Sequence, residues 1–300
     1  MQKPFVQSNL HGVAFALAAF GLYATHDAVL KVLAVNFSVF QVVFYLNLFT
    51  LPMVVAMLMA DPALGNLRPK HPWWILLRSI LSVVGSISVF YAFTVLKMSE
   101  TYAILFTTPL FITALSVPVL GEHVGPRRWG AVLIGFAGVL IVLNPGVSEI
   151  GLAHLAALLG AASAALIFVS VRKIGRDERV SVLMLYPMLT NLILMAGLAA
   201  LTYRPMPLND LALNGFMAVL GFIAMLCLIH AYRVATAVTV APMQYSQMLW
   251  AIFFGFLLFD ETLEVRVLLG AGVIIASGLY IALRERKVLG DIPTSEIAKY

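Results

Sequence analysis

Residues 121–143 read GEHVGPRRWGAVLIGFAGVLIVL, and residues 260–283 read DETLEVRVLLGAGVIIASGLYIAL. Each stretch opens on an acidic step, crosses a short polar turn with an arginine, and enters an apolar block punctuated by glycine. The likeness extends outward. Tyr91-Ala92-Phe93 falls on His230-Ala231-Tyr232, and the same offset sets Glu122 on Glu261 and Arg127 on Arg266. After a one-residue shift, Gly130-Ala131 falls on Gly270-Ala271 and Gly138 on Gly278. Lys31 and Lys173 close the first apolar block of each half. The chain is a duplication.

The repeated unit belongs in a bilayer. Apolar residues make up 62% of the 300 residues and charged ones 11%, against about 25% charged in an ordinary soluble domain. The apolar residues come in blocks near the length, about 20 residues, that crosses a hydrocarbon core. We read ten spans: His11–Leu33, Ser38–Ala60, Trp73–Val95, Thr101–Leu120 and Arg127–Leu143, then Leu152–Arg172, Ser181–Thr202, Asp210–Tyr232, Val238–Phe259 and Val265–Leu283. Loop chemistry separates them at Asp61–Asn66, Gly125–Arg128, Asn144-Pro145-Gly146 and Arg204–Pro207. The N-terminal run after Lys3 is an uncleaved first span, because nine apolar blocks follow it. Five spans per half is odd, so the second half sits upside down relative to the first. The predicted fold is an all-α integral membrane protein of ten transmembrane helices in two inverted five-helix repeats. The repeats cover residues 1–146 and 147–289, and residues 290–300 form a cytoplasmic tail.

Basic residues orient the bundle. With a cytoplasmic N-terminus, only Lys31, Lys97, Arg204 and Arg266 of the 19 basic residues fall on the far face. Both termini are therefore expected in the cytoplasm. The same scatter leaves no basic patch for nucleic acid despite a net charge of +5. The single cysteine, Cys227, rules out a disulfide framework or a cysteine metal site. The sequence carries no His-Glu-x-x-His, Gly-x-Ser-x-Gly or Walker-type glycine loop, so no enzyme, metal or cofactor is expected. Inverted repeats typify secondary transporters, whose substrate sits near the midplane between the halves; the plainer alternative is duplication for packing alone.

Ionisable groups at membrane depth cost about 2.5–3.5 kcal/mol on insertion scales, so each needs a partner or a task. Asp27 and Lys31 stand at i, i+4 and can pair on one face, which is the simpler reading of that end of the first span. The functional alternative makes His26 and Asp27 ion-coupling residues that accept a proton or hold a substrate ammonium. Arg78 is either a carboxylate fork or a snorkelling anchor. Ser79, Ser82, Ser86, Gly85 and Ala92 read first as close-packing positions and second as a polar lining.

The fourth and ninth spans are the most polar. The fourth has Tyr102, Thr107, Thr108, Pro109 and Thr113; the ninth has Pro242, Gln244, Tyr245, Ser246, Gln247 and Trp250. Such groups in mid-membrane need partners, water or ligand, and the two prolines free carbonyls to face a cavity. Tyr91 and its mate His230 are expected near opposite ends of that cavity. The candidate substrate-binding set is Arg78, Ser82, Tyr91, Tyr102, Thr108, His230, Gln244, Tyr245 and Trp250, with His26 and Asp27 for ion coupling. Glu122 and Glu261 read as caps for the helices that follow them, and Trp73, Trp74 and Trp129 as interfacial anchors.

These segments resemble a known family. Pro109-Leu110 through Leu120-Gly121-Glu122 and Trp129-Gly130 to Gly138-Val139, with their counterparts Ala241-Pro242 to Asp260-Glu261 and Gly270 to Gly278, look like the drug/metabolite transporter superfamily, EamA type. His26-Asp27-Ala28-Val29-Leu30-Lys31 resembles the Asp-Ala-x-x-Lys end of the first helix in bacterial members. Asn47 stands where many members carry arginine. The resemblance implies a secondary transporter of small metabolites in a bacterial inner membrane, working by alternating access. Amino acids are the leading class and export the leading direction. The second reading is uptake or exchange of a nucleoside-like or sulfonium metabolite, and a channel-like facilitator is the third. The expected partners are a small-molecule substrate and the lipid bilayer, and the expected state is a monomer or weak homodimer.

Overall fold

A computed structural model describes residues 9–59, 67–122, 124–144, 150–175, 177–235 and 240–290. Lys3, the Asp61–Asn66 break, Pro145-Gly146, Arg176, Val238 and the tail beyond Gly290 lie outside the described residues, as do the side chains of Arg233 and of residues 284–290.

Among the described residues the chain is helical and contains no strand. The helices are α1 (Asn9–Leu33), α2 (Val39–Met59), α3 (Pro72–Val95), α4 (Met98–Leu105), α5 (Thr108–Leu120), α6 (Pro126–Leu143), α7 (Leu152–Ile174), α8 (Val180–Leu201), α9 (Leu208–Val234), α10 (Gln247–Phe259) and α11 (Val265–Gly290), with a 3-10 segment at Ala241–Ser246. They make ten spans, because α4 and α5 share the fourth and the 3-10 segment completes the ninth. Eight spans are long and apolar enough to cross a membrane, and Val265–Ile281 is a shorter apolar stretch. α10 has 13 residues, which rise about 20 Å at 1.5 Å each. The six-residue 3-10 segment adds roughly 12 Å, enough for a crossing.

Local chemistry sets the ends. Pro72, Pro109 and Pro126 stand in the first turns of α3, α5 and α6, where a missing N–H costs nothing. The repeat extends to backbone conformation: α5 ends on Gly121 at φ 72° and α10 ends on its mate Asp260 at φ 50°. Both take the left-handed turn that glycine adopts freely and aspartate tolerates.

The halves exchange partners. α1 packs along α9 and α3 along α7, so the first helix of each half lies against the third helix of the other. α2 meets its own mate α8, and α6 meets α11, along the line where the halves adjoin. Small residues allow the close approaches that membrane helices rely on. Ala157, Ala161 and Ala165 form a fully buried row on α7, and Ala16, Ala24 and Ala28 do the same for α1. Where α6 crosses α11, a Cβ on Gly138 would lie 2.9 Å from the Gly270 carbonyl oxygen, and one on Gly270 would lie 2.7 Å from that of Gly138. The outside is as apolar as the inside: Leu133, Phe168, Ile193 and Phe256 are all exposed. This is a multi-pass membrane protein.

Candidate functional site

The most polar interior cluster joins α1 to α4. The Asp27 carboxylate accepts a bond from His26 Nδ1 at 2.8 Å and a second from the Tyr102 hydroxyl. Gln247 is buried at the start of α10. α9 closes the cluster with Gly221, where a Cβ would stand 3.4 Å from the His26 ring. α3 contributes Phe90, whose ring centroid is 6.4 Å from that of His26. Tyr102 and His26 are buried, and the Asp27 side chain is 16% exposed. Asp27 is thus an acid whose partners are a phenol and an imidazole, with no lysine or arginine among them.

An aromatic ladder runs from this carboxylate toward the ninth span. Phe93 meets Tyr102 edge-on at 5.2 Å, Tyr102 meets Phe106 at 6.2 Å, and Phe106 meets Tyr245 edge-on at 5.2 Å. The ladder crosses both helix breaks. Tyr245 lies in the 3-10 segment, and Phe106 lies in the interruption between α4 and α5. Beyond it the Trp250 indole lies against Gly21 of α1, 3.3 Å from where a Cβ would stand.

Several expectations change. Lys31 does not pair with Asp27. Its ammonium donates to Glu261 Oε1 at 2.5 Å and to the Leu96 carbonyl at 2.6 Å, over the Phe259 ring. A carboxylate, the carbonyl at the negative end of α3 and a ring face together outweigh one acid on the lysine's own helix. Arg78 is neither a free fork nor a snorkelling anchor. It is buried, with Nη1 donating to the Ile167 carbonyl and Ser170 Oγ and Nη2 to the Leu183 carbonyl. Those bonds tie α3 to α7 and α8 and leave Nε buried without a partner.

Tyr91 and His230, expected near opposite ends of a cavity, are both exposed. His230 stacks on Phe15 at 4.4 Å, on the face of α9 turned away from the cluster. The carbonyls around the break in the fourth span are not free for a cavity either. The Thr107 and Thr108 hydroxyls donate to the carbonyls of Ile104 and Leu105, each at 2.7 Å. Glu122 and Glu261 do not cap the helices that follow them; α6 starts with no side-chain cap. Glu261 Oε2 instead accepts the Met98 N–H at the start of α4, and Glu122 pairs with Arg172. Each follows a left-handed turn that points it back across the interface between halves.

Of the candidate residues, the structure brings His26, Asp27 and Tyr102 together, reaches Tyr245 from Tyr102 through Phe106, and sets Trp250 against Gly21 of α1. Ser82 belongs to a separate cluster: Asn191 Nδ2 on α8 donates to its carbonyl at 3.2 Å and to Ser86 Oγ at 3.0 Å. Gln244 is half-buried in the 3-10 segment. Asn47 bonds back to the Val43 carbonyl of its own helix. Sequence reasoning missed Asn191. Two cavities lie off the cluster, one of 320 Å³ beside Ser99, Gly255 and Glu261, the other of 360 Å³ between Gln41, Tyr45 and Tyr203.

Comparison with known proteins gives this geometry its context. The EamA-like transporter family matches residues 10–144 and 151–283. The S-adenosylmethionine uptake transporter of Rickettsia bellii is 25% identical over 93% of this chain and 95% of its own length. The riboflavin transporters of Rhizobium johnstonii and Vibrio cholerae are 30% and 32% identical, over 80% and 74% of this chain and 78% and 75% of their own. A solved crystal structure with 15% identity superposes with a TM-score of 0.58 over 92% of this chain and 98% of that one, so the two share a fold.

Proposed function

The chain belongs to the EamA-like transporter family, and on that premise we propose that it is a secondary carrier for small heteroaromatic, nucleoside-like metabolites, working in uptake or exchange by alternating access. One observation carries the proposal. A carboxylate held, among the described residues, by a phenol and an imidazole opens an aromatic ladder that spans both helix breaks. Ring faces and edges suit a planar base or fused-ring ligand, and Asp27 suits its cationic or hydrogen-bonding part. The amino-acid export reading loses its carboxylate clamp, because Arg78 is committed to helix carbonyls. The names of the S-adenosylmethionine and riboflavin relatives point the same way.

His26 and Asp27 also form the proton-coupling element, since an imidazole and a carboxylate bonded to each other at 2.8 Å offer a place for a proton inside the bundle. The carrier resides in a bacterial inner membrane with both termini cytoplasmic, the orientation that keeps most arginines and lysines inside. Its domains are the two five-helix repeats, 1–146 and 147–289.

The test is uptake of radiolabelled S-adenosylmethionine, riboflavin and a panel of amino acids into proteoliposomes, with and without an imposed pH gradient. Saturable flux of a heteroaromatic compound, reduced about tenfold or more by Asp27→Asn or Tyr102→Phe in folded protein, is the expected result; tenfold corresponds to about 1.4 kcal/mol. Flux confined to amino acids would return the export reading, and flux that fails to saturate would mean a channel.

A further inference from the structure

Two ion pairs outside the Asp27 cluster correspond under the repeat. At one end of the molecule, Lys31 at the close of α1 pairs with Glu261, which follows the last helix of the ninth span. At the other end, Arg172 at the close of α7 pairs with Glu122, which follows the last helix of the fourth span. α7 is the mate of α1, and Glu122 is the mate of Glu261. Each pair therefore ties the first span of one half to the fourth span of the other, and inversion puts the two at opposite faces. Lys173, beside Arg172, donates to the Val119 carbonyl at 3.1 Å, much as Lys31 donates to that of Leu96.

The two copies are unequal. Lys31 and Glu261 have side chains only 13% and 11% exposed, and the second oxygen of Glu261 holds the Met98 N–H. Around them Lys97, Glu264, Arg266, Glu100 and His154 form a continuous chain of polar contacts, with Lys97 before α4, Glu264 before α11, Arg266 on α11, Glu100 on α4 and His154 on α7. Arg172 and Glu122 are 46% and 33% exposed, so water screens their attraction. Separating the first pair strands two charges away from water, whereas separating the second costs little.

We propose that Lys31–Glu261 and Arg172–Glu122 are two copies of one latch, closing opposite ends of the carrier, and that their unequal burial makes the empty protein rest closed at the Lys31 end. The inference rests on the carrier reading but not on any substrate. The latch also neighbours the ligand cluster. Asp27 and Lys31 lie one turn apart on α1, and Met98 and Tyr102 one turn apart on α4. The two helices are joined by successive rungs: Tyr102 to Asp27, then Met98 to Glu261 to Lys31. A ligand that takes Asp27 from Tyr102 loosens the rung beside the latch.

The experiment uses the full-length protein in nanodiscs, where both faces meet the reagent, in a Cys227→Ser background. Ser99→Cys reports the end beside Glu261, since Ser99 is buried and lines the cavity there. Ser116→Cys reports the other end, since the Ser116 carbonyl accepts the Glu122 N–H. The rate of reaction with a polar maleimide is read for each. Glu261→Gln is expected to speed labelling of Ser99→Cys by about tenfold, and Glu122→Gln to change that of Ser116→Cys by less than about twofold, the shift a latch of each burial gives a two-state equilibrium. Charge exchange, Lys31→Glu with Glu261→Lys, should restore protection at Ser99→Cys, and this second variant decides the matter if Glu261→Gln folds poorly. Equal acceleration at both cysteines, which a merely destabilised fold gives, would overturn the proposal. So would undiminished protection in Glu261→Gln, or a charge exchange that fails to protect. Labelling needs no substrate, so failure of the heteroaromatic reading leaves this test intact.

Discussion

A carboxylate inside a span survives when its neighbours share its charge, and Asp27 has two donors that do so without cancelling it. A lysine would lock the group as a structural pair. A phenol and an imidazole leave it open to a ligand cation or a proton. Tyr102→Phe should therefore hurt transport more than stability, because the ring contacts to Phe93 and Phe106 remain. Lost bonds of this kind are worth about 1.5–3 kcal/mol when one partner is charged; a large fall in melting temperature without loss of flux would reverse the assignment. Outside the spans, Glu264 gives a pH prediction. Hydrogen bonds from Arg266 and then Lys97 hold its carboxyl below the ordinary carboxylate range. A depressed acid contributes stability above the ordinary range and loses it as pH falls through and below that range. Glu264→Gln should then cost no more than about 1 kcal/mol at neutral pH, because the group is partly exposed. Parent and variant melting curves should converge below about pH 4, and a gap that persists there would mean the carboxylate acts by packing alone.

At the scale of the element, the fourth and ninth spans show how far a sequence can be read. Pro109 and Pro242 were read as freeing carbonyls within continuous spans, whereas the structure interrupts the fourth span just before Pro109 and winds a 3-10 segment around Pro242. What takes the freed carbonyls was not legible, because threonine hydroxyls one turn away satisfy them locally. The same limit hid the partner of Asp27. A spacing of i, i+4 is visible along one helix, but Tyr102 comes from another, and Lys31 is drawn off by Glu261 of the other half. Arg78 was legible as a cation at membrane depth and illegible as a clasp, since two of its three partners are backbone carbonyls that any sequence provides. Periodic small residues carried more. The glycines of α6 and α11 were read only as marks of the repeat, yet they allow a close crossing at Gly138 and Gly270 with backbone against backbone. Gly138→Val should separate the helices, since a carbonyl cannot yield as a side chain can, and overpacking costs about 1–3 kcal/mol or more. Size-exclusion profiles of the detergent-extracted variant should show aggregation; a monodisperse peak with normal flux would mean the crossing is looser than described.

For the whole molecule, the decisive property is that the halves trade partners. Hydropathy and turn chemistry are local, so the ten spans and the repeat could be read along the chain. The pairing of α1 with α9 and α3 with α7 is a property of the assembled pair. Either half alone would leave the alanine rows of α1 or α7 facing lipid, along with polar groups such as Arg78, whose partners belong to the other half. Bilayer lipid offers no hydrogen bonds in exchange. Expressed alone, residues 1–146 or 147–300 should therefore be degraded or aggregate, and expressed together they should assemble and transport. A half that was stable and monodisperse alone would show that its packing is completed within five helices. Recovery of flux on co-expression would instead place the carrier's identity in the interface between the repeats. There the Asp27 cluster, the contact between both helix breaks and the Lys31–Glu261 and Arg172–Glu122 pairs all lie.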